Sequence, residues 1–321
     1  MNTVDPEGCR SYLSACTFPD PADGPVDLAV SGGADSSALA VLAAAAGLKG
    51  TVHHVDHGLR PGSEAEAAAV AALARSCGFA FCGWRVSVGD GPDLEARARR
   101  ARYEVLPPRV MTGHTMDDQA ETVLLNVMRG AALDGMAGMG AAGRERTSVR
   151  RPLLGIRRTD TEDICRLAGV RPITDPTNAE PRFRRNRVRH ELLPLIADIA
   201  DREPVPVLAR QAELLAADAA LLDEMAEGLD PTDAPALRSA PSPLARRALR
   251  AWLRAGDEAH PPSLAEIERV MEVVRGERVA CEISGGRRVA RKAGRLSLSN
   301  SQPATGESSA RTVALTGTAG R

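Results

Sequence analysis

Residues 26–39 read Val26-Asp27-Leu28-Ala29-Val30-Ser31-Gly32-Gly33-Ala34-Asp35-Ser36-Ser37-Ala38-Leu39. A short apolar run gives way to a loop of small residues, and the loop runs straight into an alanine-rich helical segment. Strand, tight turn and helix N-terminus in that order build a phosphate site from backbone N–H groups. Gly32 and Gly33 permit positive φ and the close approach of a ligand. Ser31, Ser36 and Ser37 add hydroxyls, and Asp35 adds a carboxylate. A carboxylate beside a phosphate is repulsive unless a cation lies between them, which points to Mg²⁺ on Asp35. The same residue types suit an ordinary βα turn with a Ser or Asp N-cap, so the loop alone leaves both readings open.

The 321 residues allow one large or two medium domains. Hydrophobic content is 43% but aromatics supply only 2%, so the interior must be Leu, Val, Ile and Ala, which favours helices packed closely on a sheet. Net charge is −1, so any attraction for nucleic acid has to be local. The N-terminus shows no charged-then-apolar leader and no run of about 18 apolar residues occurs, so the expectation is a soluble, cytoplasmic chain with no membrane partner. Cys9, Cys16, Cys77, Cys82, Cys165 and Cys281 are scattered without a C-x-x-C pair and read as reduced thiols. The two lysines, Lys49 and Lys292, follow no glycine loop. A Walker A site needs one there, so a kinase or GTPase-type loop is excluded.

Along the chain, residues 7–18 read as a short helix and 19–25 as a loop. Strand patterns at 26–30, 51–56, 79–88 and 110–112 alternate with helical patterns ending near Gly47, Cys77, Leu106 and Arg129. That alternation predicts a doubly wound, mostly parallel α/β sheet. Ligands bind such sheets outside the carboxyl ends of the strands. Residues 131–150 read as a mobile connection, 159–168 as a helix and 182–200 as a basic-then-apolar helix. Beyond Pro204 the texture changes to helices at 205–228, 242–255 and 263–275, followed by a β-hairpin turning at Ser284-Gly285-Gly286 with strand material to Leu298. The expected organisation is a catalytic domain over 1–200, a smaller helical domain with a β-hairpin over 201–298, and a disordered tail over 299–321.

Two further constellations stand at strand ends, and arginines crowd two helices. His53, His54, Asp56 and His57 crowd the second strand, but alternation puts His53 and His54 on opposite faces, so a nucleotide or substrate site suits them better than zinc. Gly113-His114-Thr115-Met116-Asp117-Asp118-Gln119-Ala120-Glu121-Thr122 opens a helix after the fourth strand. Asp118 and Glu121, three apart, share a helix face, as do Asp117 and Glu121. That is more polar chemistry than a cap requires. Arginines are dense on the third helix (Arg97, Arg99, Arg100, Arg102, before Tyr103) and in Arg182-Phe183-Arg184-Arg185-Asn186-Arg187-Val188-Arg189-His190. Guanidinium groups interleaved with an aromatic grip phosphates and stack on unpaired bases, so an RNA partner fits.

Ser31-Gly32-Gly33-Ala34-Asp35-Ser36 resembles the SGGxDS signature of the PP-loop ATP pyrophosphatases. Further blocks in order resemble tRNA(Ile)-lysidine synthetase. They are His54 to Arg60, Arg99 to Tyr103, Gly113-His114 through Asp117-Asp118-Gln119-Ala120-Glu121-Thr122 to Gly130, Arg151-Pro152-Leu153-Leu154, Asp175-Pro176-Thr177-Asn178 and Arg185-Asn186-Arg187-Val188-Arg189. The likeness is strong over 26–195 and fits the shorter form of the family. Ala132, often glycine there, and Asp134 are modest departures in a loop that would face RNA.

The resemblance implies an ATP- and Mg²⁺-dependent ligase. It would adenylate the wobble cytidine of an isoleucine tRNA with a CAU anticodon. Free L-lysine would then join carbon 2 of the base, with AMP and pyrophosphate released. It assigns catalysis to Asp35, Asp117, Asp118, Glu121 and Arg99, and places the nucleotide on Ser31 through Ser37, His54, His57 and His114. The tRNA and lysine fall to Arg60, Arg102, Asp175, Asn178, Arg185, Asn186 and Arg189. A homodimer is left open. The rivals are a PP-loop tRNA thiolation enzyme, which the missing C-x-x-C argues against, and a non-catalytic nucleotide- or RNA-binding module, which the retained Asp35 and acidic helix start argue against.

Overall fold

The computed structural model describes residues 7–56, 58, 63–87, 94–139, 149–173, 183–254 and 262–300. The chain divides into two compact units between Ala220 and Leu221.

In the first unit, β1 (Val26–Ala29), β2 (Gly50–Asp56), β3 (Ala80–Arg85) and β4 (Met111–Thr112) form one sheet in the order β3-β2-β1-β4. Every pairing is parallel. Helices α1 (Ala34–Ala45), α2 (Ser63–Ser76) and α3 (Leu94–Val105) connect successive strands, as the alternating pattern predicts. Helix α1 is buried on every side from Ser36 to Ala43. Its alanines let it lie close against the sheet on one side and α6 (Arg158–Leu167) on the other. The core around it is aliphatic, with Leu28, Leu39, Leu42, Leu48, Met111, Leu153, Ile156 and Ile164 fully buried. An aromatic-poor composition is thus offset by helices that approach closely.

Strand order reverses direction at β1: β2 and β3 lie to one side and β4 to the other. The carboxyl ends of β1 and β4 flank that switch point, where open α/β sheets form their ligand crevice. The 26–39 loop leaves β1 and α4 (Met116–Met128) follows β4, so both motifs arrive at one place.

Some elements differ from the sequence reading. The opening segment Glu7–Ala15 is a 3₁₀ helix. Residues 131–139, expected to be a mobile connection, carry the short helix α5 (Leu133–Met136) and are tied to α4. Asn126 donates to the Gly135 carbonyl at 2.9 Å, and the Met139 amide donates to Gln119 Oε1 at 2.8 Å; 140–148 lie outside the described residues. The expected single helix over 182–200 is α7 (Arg184–Arg187), a π turn at Val188–Leu192, and α8 (Leu193–Ala200). The Leu193 amide reaches back five residues to Val188, and Pro194, with no N–H, follows in the first turn of α8.

The second unit contains α10 (Ala234–Ser239), α11 (Ser242–Arg254) and α12 (Leu264–Arg275) with an antiparallel sheet β5 (Ala280–Ile283), β6 (Arg287–Lys292), β7 (Arg295–Asn300). The long helix α9 (Pro204–Glu227) precedes them. Leu237, Leu249, Leu253, Ile267, Val270, Val273, Val274 and Val289 form its core. Material expected as one returning strand is two, because Ala293 and Gly294 both take positive φ and make a second tight turn. β7 runs to Asn300, two residues into the stretch expected as tail. Among the described residues no helix is long and apolar enough to cross a membrane.

Candidate active site

The loop after β1 is organised by one hydroxyl. Ser36 Oγ accepts from the amides of Ser31 and Gly32, each at 3.2 Å, and donates to the Gly33 carbonyl at 3.0 Å. Ser37 Oγ donates to the Gly32 carbonyl at 3.1 Å. Gly32 takes φ 98°, and the Ile173 side chain covers it so closely that a Cβ would fall 2.5 Å from Ile173 Cδ1. Gly33 stands at the N-cap of α1 and supplies no side-chain cap. Helix α4, in contrast, is closed by a capping box between Thr115 and Asp118. The first turn of α1 therefore presents backbone donors and the positive end of its dipole to the crevice.

Gly113 brings the second motif against the first. A Cβ there would stand 2.5 Å from the Asp35 carbonyl oxygen and 2.9 Å from Ser36 Cα. The turn Pro152–Ile156 sets the next contact: the Met116 amide donates to the Ile156 carbonyl at 2.8 Å, and Leu153 and Ile156 are buried beneath it. Helix α6 follows with Arg158 as its first residue.

Four carboxylates and four guanidinium groups meet here. Asp117 takes Arg157 Nε at 3.1 Å, Arg157 Nη2 at 3.2 Å and the Arg158 amide at 2.8 Å. Arg158 reaches Asp35 Oδ2 with Nε at 3.3 Å, Glu121 Oε1 with Nη1 at 3.1 Å and Asp118 Oδ1 with Nη2 at 2.9 Å. Thr161 Oγ donates to Asp35 Oδ1 at 2.6 Å. Glu121, with no exposed surface, also takes Arg185 Nε at 2.8 Å and Arg189 through Nε at 2.7 Å and Nη2 at 3.2 Å. Charges of both signs balance one for one, which is what permits a buried cluster of this size.

The four carboxylates do not share one environment. Burial pushes Asp35 upward against the opposing Arg158 charge and Thr161 hydroxyl. Burial also pushes on Asp118, but there the Arg158 and Arg185 charges and the Thr115 amide outweigh it and hold the carboxyl below its ordinary value. Burial holds His114 well below the ordinary histidine value, assisted by Arg151, Arg99 and Arg185 and opposed by Asp118. His114 is therefore neutral at physiological pH, and its Nδ1 pairs with Thr112 Oγ at 2.7 Å.

Residues 15–196 match a family model described as a PP-loop domain, and residues 233–297 match the TilS substrate binding domain. The tRNA(Ile)-lysidine synthase of Nocardia farcinica is 41% identical over 85% of this chain and 91% of its own length. The chain belongs to the tRNA(Ile)-lysidine synthase family. The family member from Salinispora tropica is likewise 41% identical, over 87% of this chain and 91% of its own. Among solved structures, the U34-tRNA thiolase from Methanococcus maripaludis superposes with a TM-score of 0.50, covering 65% of this chain and 80% of that one, at 16% identity. That likeness concerns the fold alone. The PP-loop match makes this a member of an ATP-utilising family.

Within this lysidine synthase frame, Ser31 to Ser37, Asp35, His114, Asp117, Asp118 and Glu121 lie at the switch point, and Arg185 and Arg189 join them. His54 is buried on β2, its Nδ1 pairing with the Val30 carbonyl at 3.0 Å at the exit of β1. His53 faces the other way, with Nε2 on Asp27 at 2.8 Å and Nδ1 accepting from Trp84 at 3.1 Å, a structural arrangement in the sheet. Among the described residues no group of three or more His, Cys, Asp or Glu could hold a metal. Arg99 lies over the Tyr103 ring at 5.0 Å, and Arg102 neighbours both on α3. Asn186 is buried. His57, Arg60, Asp175 and Asn178 lie outside the described residues.

The basic helix is turned differently from the sequence reading. Arg185 and Arg189, expected to meet RNA, point inward to Glu121. Arg184 and Arg187 lie on the other, exposed face, where they border an apolar groove of about 470 Å³ lined by Leu125, Met128 and Leu195. Three members of the cluster were not singled out as site residues from the sequence: Arg157, Arg158 and Thr161. Their only sequence signal was a place in the arginine-rich stretch that runs from Arg144 through Arg189, which says nothing of direction.

Proposed function

We propose that this chain adenylates the wobble cytidine of a tRNA(Ile) with a CAU anticodon and joins free L-lysine to carbon 2 of that base, releasing AMP and pyrophosphate. One observation carries the reading: the uncapped amides of α1 and the carboxylates of α4 share a single crevice, with Gly113 seated on the Asp35–Ser36 backbone. Adenylation needs donors for a departing pyrophosphate, and amine transfer needs carboxylates for an ammonium and its proton. Both are present side by side.

The Ser31–Ser37 loop would hold the phosphates, with Ser36 Oγ marking where an anionic oxygen can accept amide hydrogens. His54 and neutral His114 would flank the nucleotide, and Arg99 with Arg102 would meet anionic groups. Asp35 fits a magnesium ion, since each of its oxygens accepts one protein bond and keeps a second lone pair. Mg²⁺ takes one or two carboxylates and completes its shell with water and phosphate, so a larger protein cage is not required. Bound there, the ion would neutralise charge on the leaving pyrophosphate. Asp118 would hold the lysine ammonium and relay its proton.

Incubation with ATP, labelled lysine and unmodified isoleucine tRNA tests this. Lysine incorporation that needs ATP and is absent with the matching methionine tRNA supports it. ATP cleavage without lysine transfer, or sulfur transfer in its place, would sink it.

A further inference from the structure

Arg158 touches all four carboxylates of the site. Its three guanidinium nitrogens go to three different partners, Asp35, Glu121 and Asp118, and its amide goes to Asp117. We propose that Arg158 is the positioning residue of the lysine-transfer step, directing the incoming ammonium to Asp118 and away from Glu121. This deepens the lysidine reading above and rests on it.

Counting acceptor positions shows why. A carboxylate offers about four lone-pair sites. Glu121 has all four engaged: Oε1 by Arg158 and Arg189, Oε2 by Arg185 and Arg189. An ammonium would have to displace a guanidinium to bind it. Asp118 has Oδ2 filled by the Thr115 amide and hydroxyl but only one bond, from Arg158, on Oδ1. Asp35 has one bond on each oxygen. Among the described residues, open acceptor positions thus remain on Asp35, on Asp118 Oδ1 and on Asp117 Oδ1, which takes only Arg157 Nη2; the Arg158 guanidinium bridges the first two, one from each motif. A planar fork spans three acceptors in fixed directions, whereas a lysine ammonium at 158 would be a point charge on a flexible stem.

Removing this side chain strips no carboxylate bare. Asp35 keeps Thr161, Asp118 keeps Thr115, Glu121 keeps Arg185 and Arg189, and Asp117 keeps Arg157. Variants at 158 are therefore expected to fold, and their effect is readable in kinetics.

The test uses the full chain carrying Arg158→Gln or Arg158→Lys, and measures two steps separately: pyrophosphate release with tRNA and ATP alone, and lysine incorporation. The expected result is a KM for lysine raised about tenfold or more, with tRNA adenylation down by no more than about threefold. Arg158→Lys recovers little of the loss. The acid limb of the lysine kcat/KM profile also moves to higher pH in Arg158→Gln. Asp118, faced by Arg158, His114, Arg185 and Arg189, there loses its nearest positive charge. Equal loss of both steps, or an unchanged lysine KM, would overturn the positioning role. Wild-type chain that adenylates tRNA but never incorporates lysine would overturn the lysidine reading, and this inference with it.

Discussion

Gly113 rests directly on the backbone of Asp35, where a Cβ would stand 2.5 Å from the Asp35 carbonyl oxygen. The obstacle is backbone rather than a flexible side-chain tip, so it cannot swing aside. Gly113→Ala must push β4 and α1 apart at the crevice. Overpacking of this kind costs about 1–3 kcal/mol, and ATP-dependent adenylation should fall with it. Thermal unfolding and pyrophosphate release on the purified variant check both; a variant as stable and active as wild type would show that the contact yields.

Ser36 holds the loop by taking two amides onto one hydroxyl. Ser36→Ala leaves those N–H groups without that acceptor, at a cost of about 1–3 kcal/mol. The KM for ATP should rise while the KM for lysine stays near wild type. Calorimetric titration with ATP reads this, and unaltered ATP affinity would rule out the loop's dependence on Ser36.

Glu121 is the buried anchor for Arg158, Arg185 and Arg189. Glu121→Ala leaves three guanidinium groups without their shared carboxylate, and breaking a buried pair costs about 3–5 kcal/mol. The urea midpoint should drop sharply even without substrates. If stability barely moved while lysine transfer vanished, Glu121 would be a chemical group rather than an anchor.

His114 supplies a pH dependence. Its folded pKa lies below the ordinary 6.5 because burial, Arg151, Arg99 and Arg185 disfavour the cation, with Asp118 opposing. Below about pH 6.5 the unfolded chain takes up a proton that the folded chain refuses. Stability therefore falls as pH drops from there, by up to about 1.4 kcal/mol per unit. Asp118, depressed in the folded state, contributes stability above its ordinary 3.8 that is lost only as pH falls further through its folded value. Denaturation midpoints of wild type and His114→Gln between pH 7 and 5 should diverge, the variant showing the flatter profile.

The two faces of the basic helix should separate in experiment. Arg187 is exposed and, among the described residues, pairs only with Glu191, at 2.8 Å; Arg187→Ala should change stability by less than about 0.5 kcal/mol. It should weaken tRNA binding and lower the salt slope by about 0.7 to 1. Arg185→Ala should instead destabilise the first unit. Filter binding across a salt series distinguishes them, and equal salt slopes for both variants would refute the assignment of faces.

Local pattern carried much of this protein. A β-rich run, small-residue loop and alanine-rich helix made the phosphate turn legible at Ser31–Ser37, because backbone geometry at such turns depends on the residues that form it. The alternation of strands and helices, the parallel sheet and the family were legible for the same reason. What escaped were directions. A run of arginines is the same string whether its guanidinium groups meet water, RNA or a buried carboxylate. Arg185 and Arg189 turn inward because Glu121 has no exposed surface and needs charge compensation, and Arg158 bridges Asp35 to Asp118 because α6 begins where α1 and α4 converge. Those pairings join residues 37 to 123 positions apart. Only the packed chain brings such distant charges within reach, and only the low dielectric of its interior makes their balance compulsory.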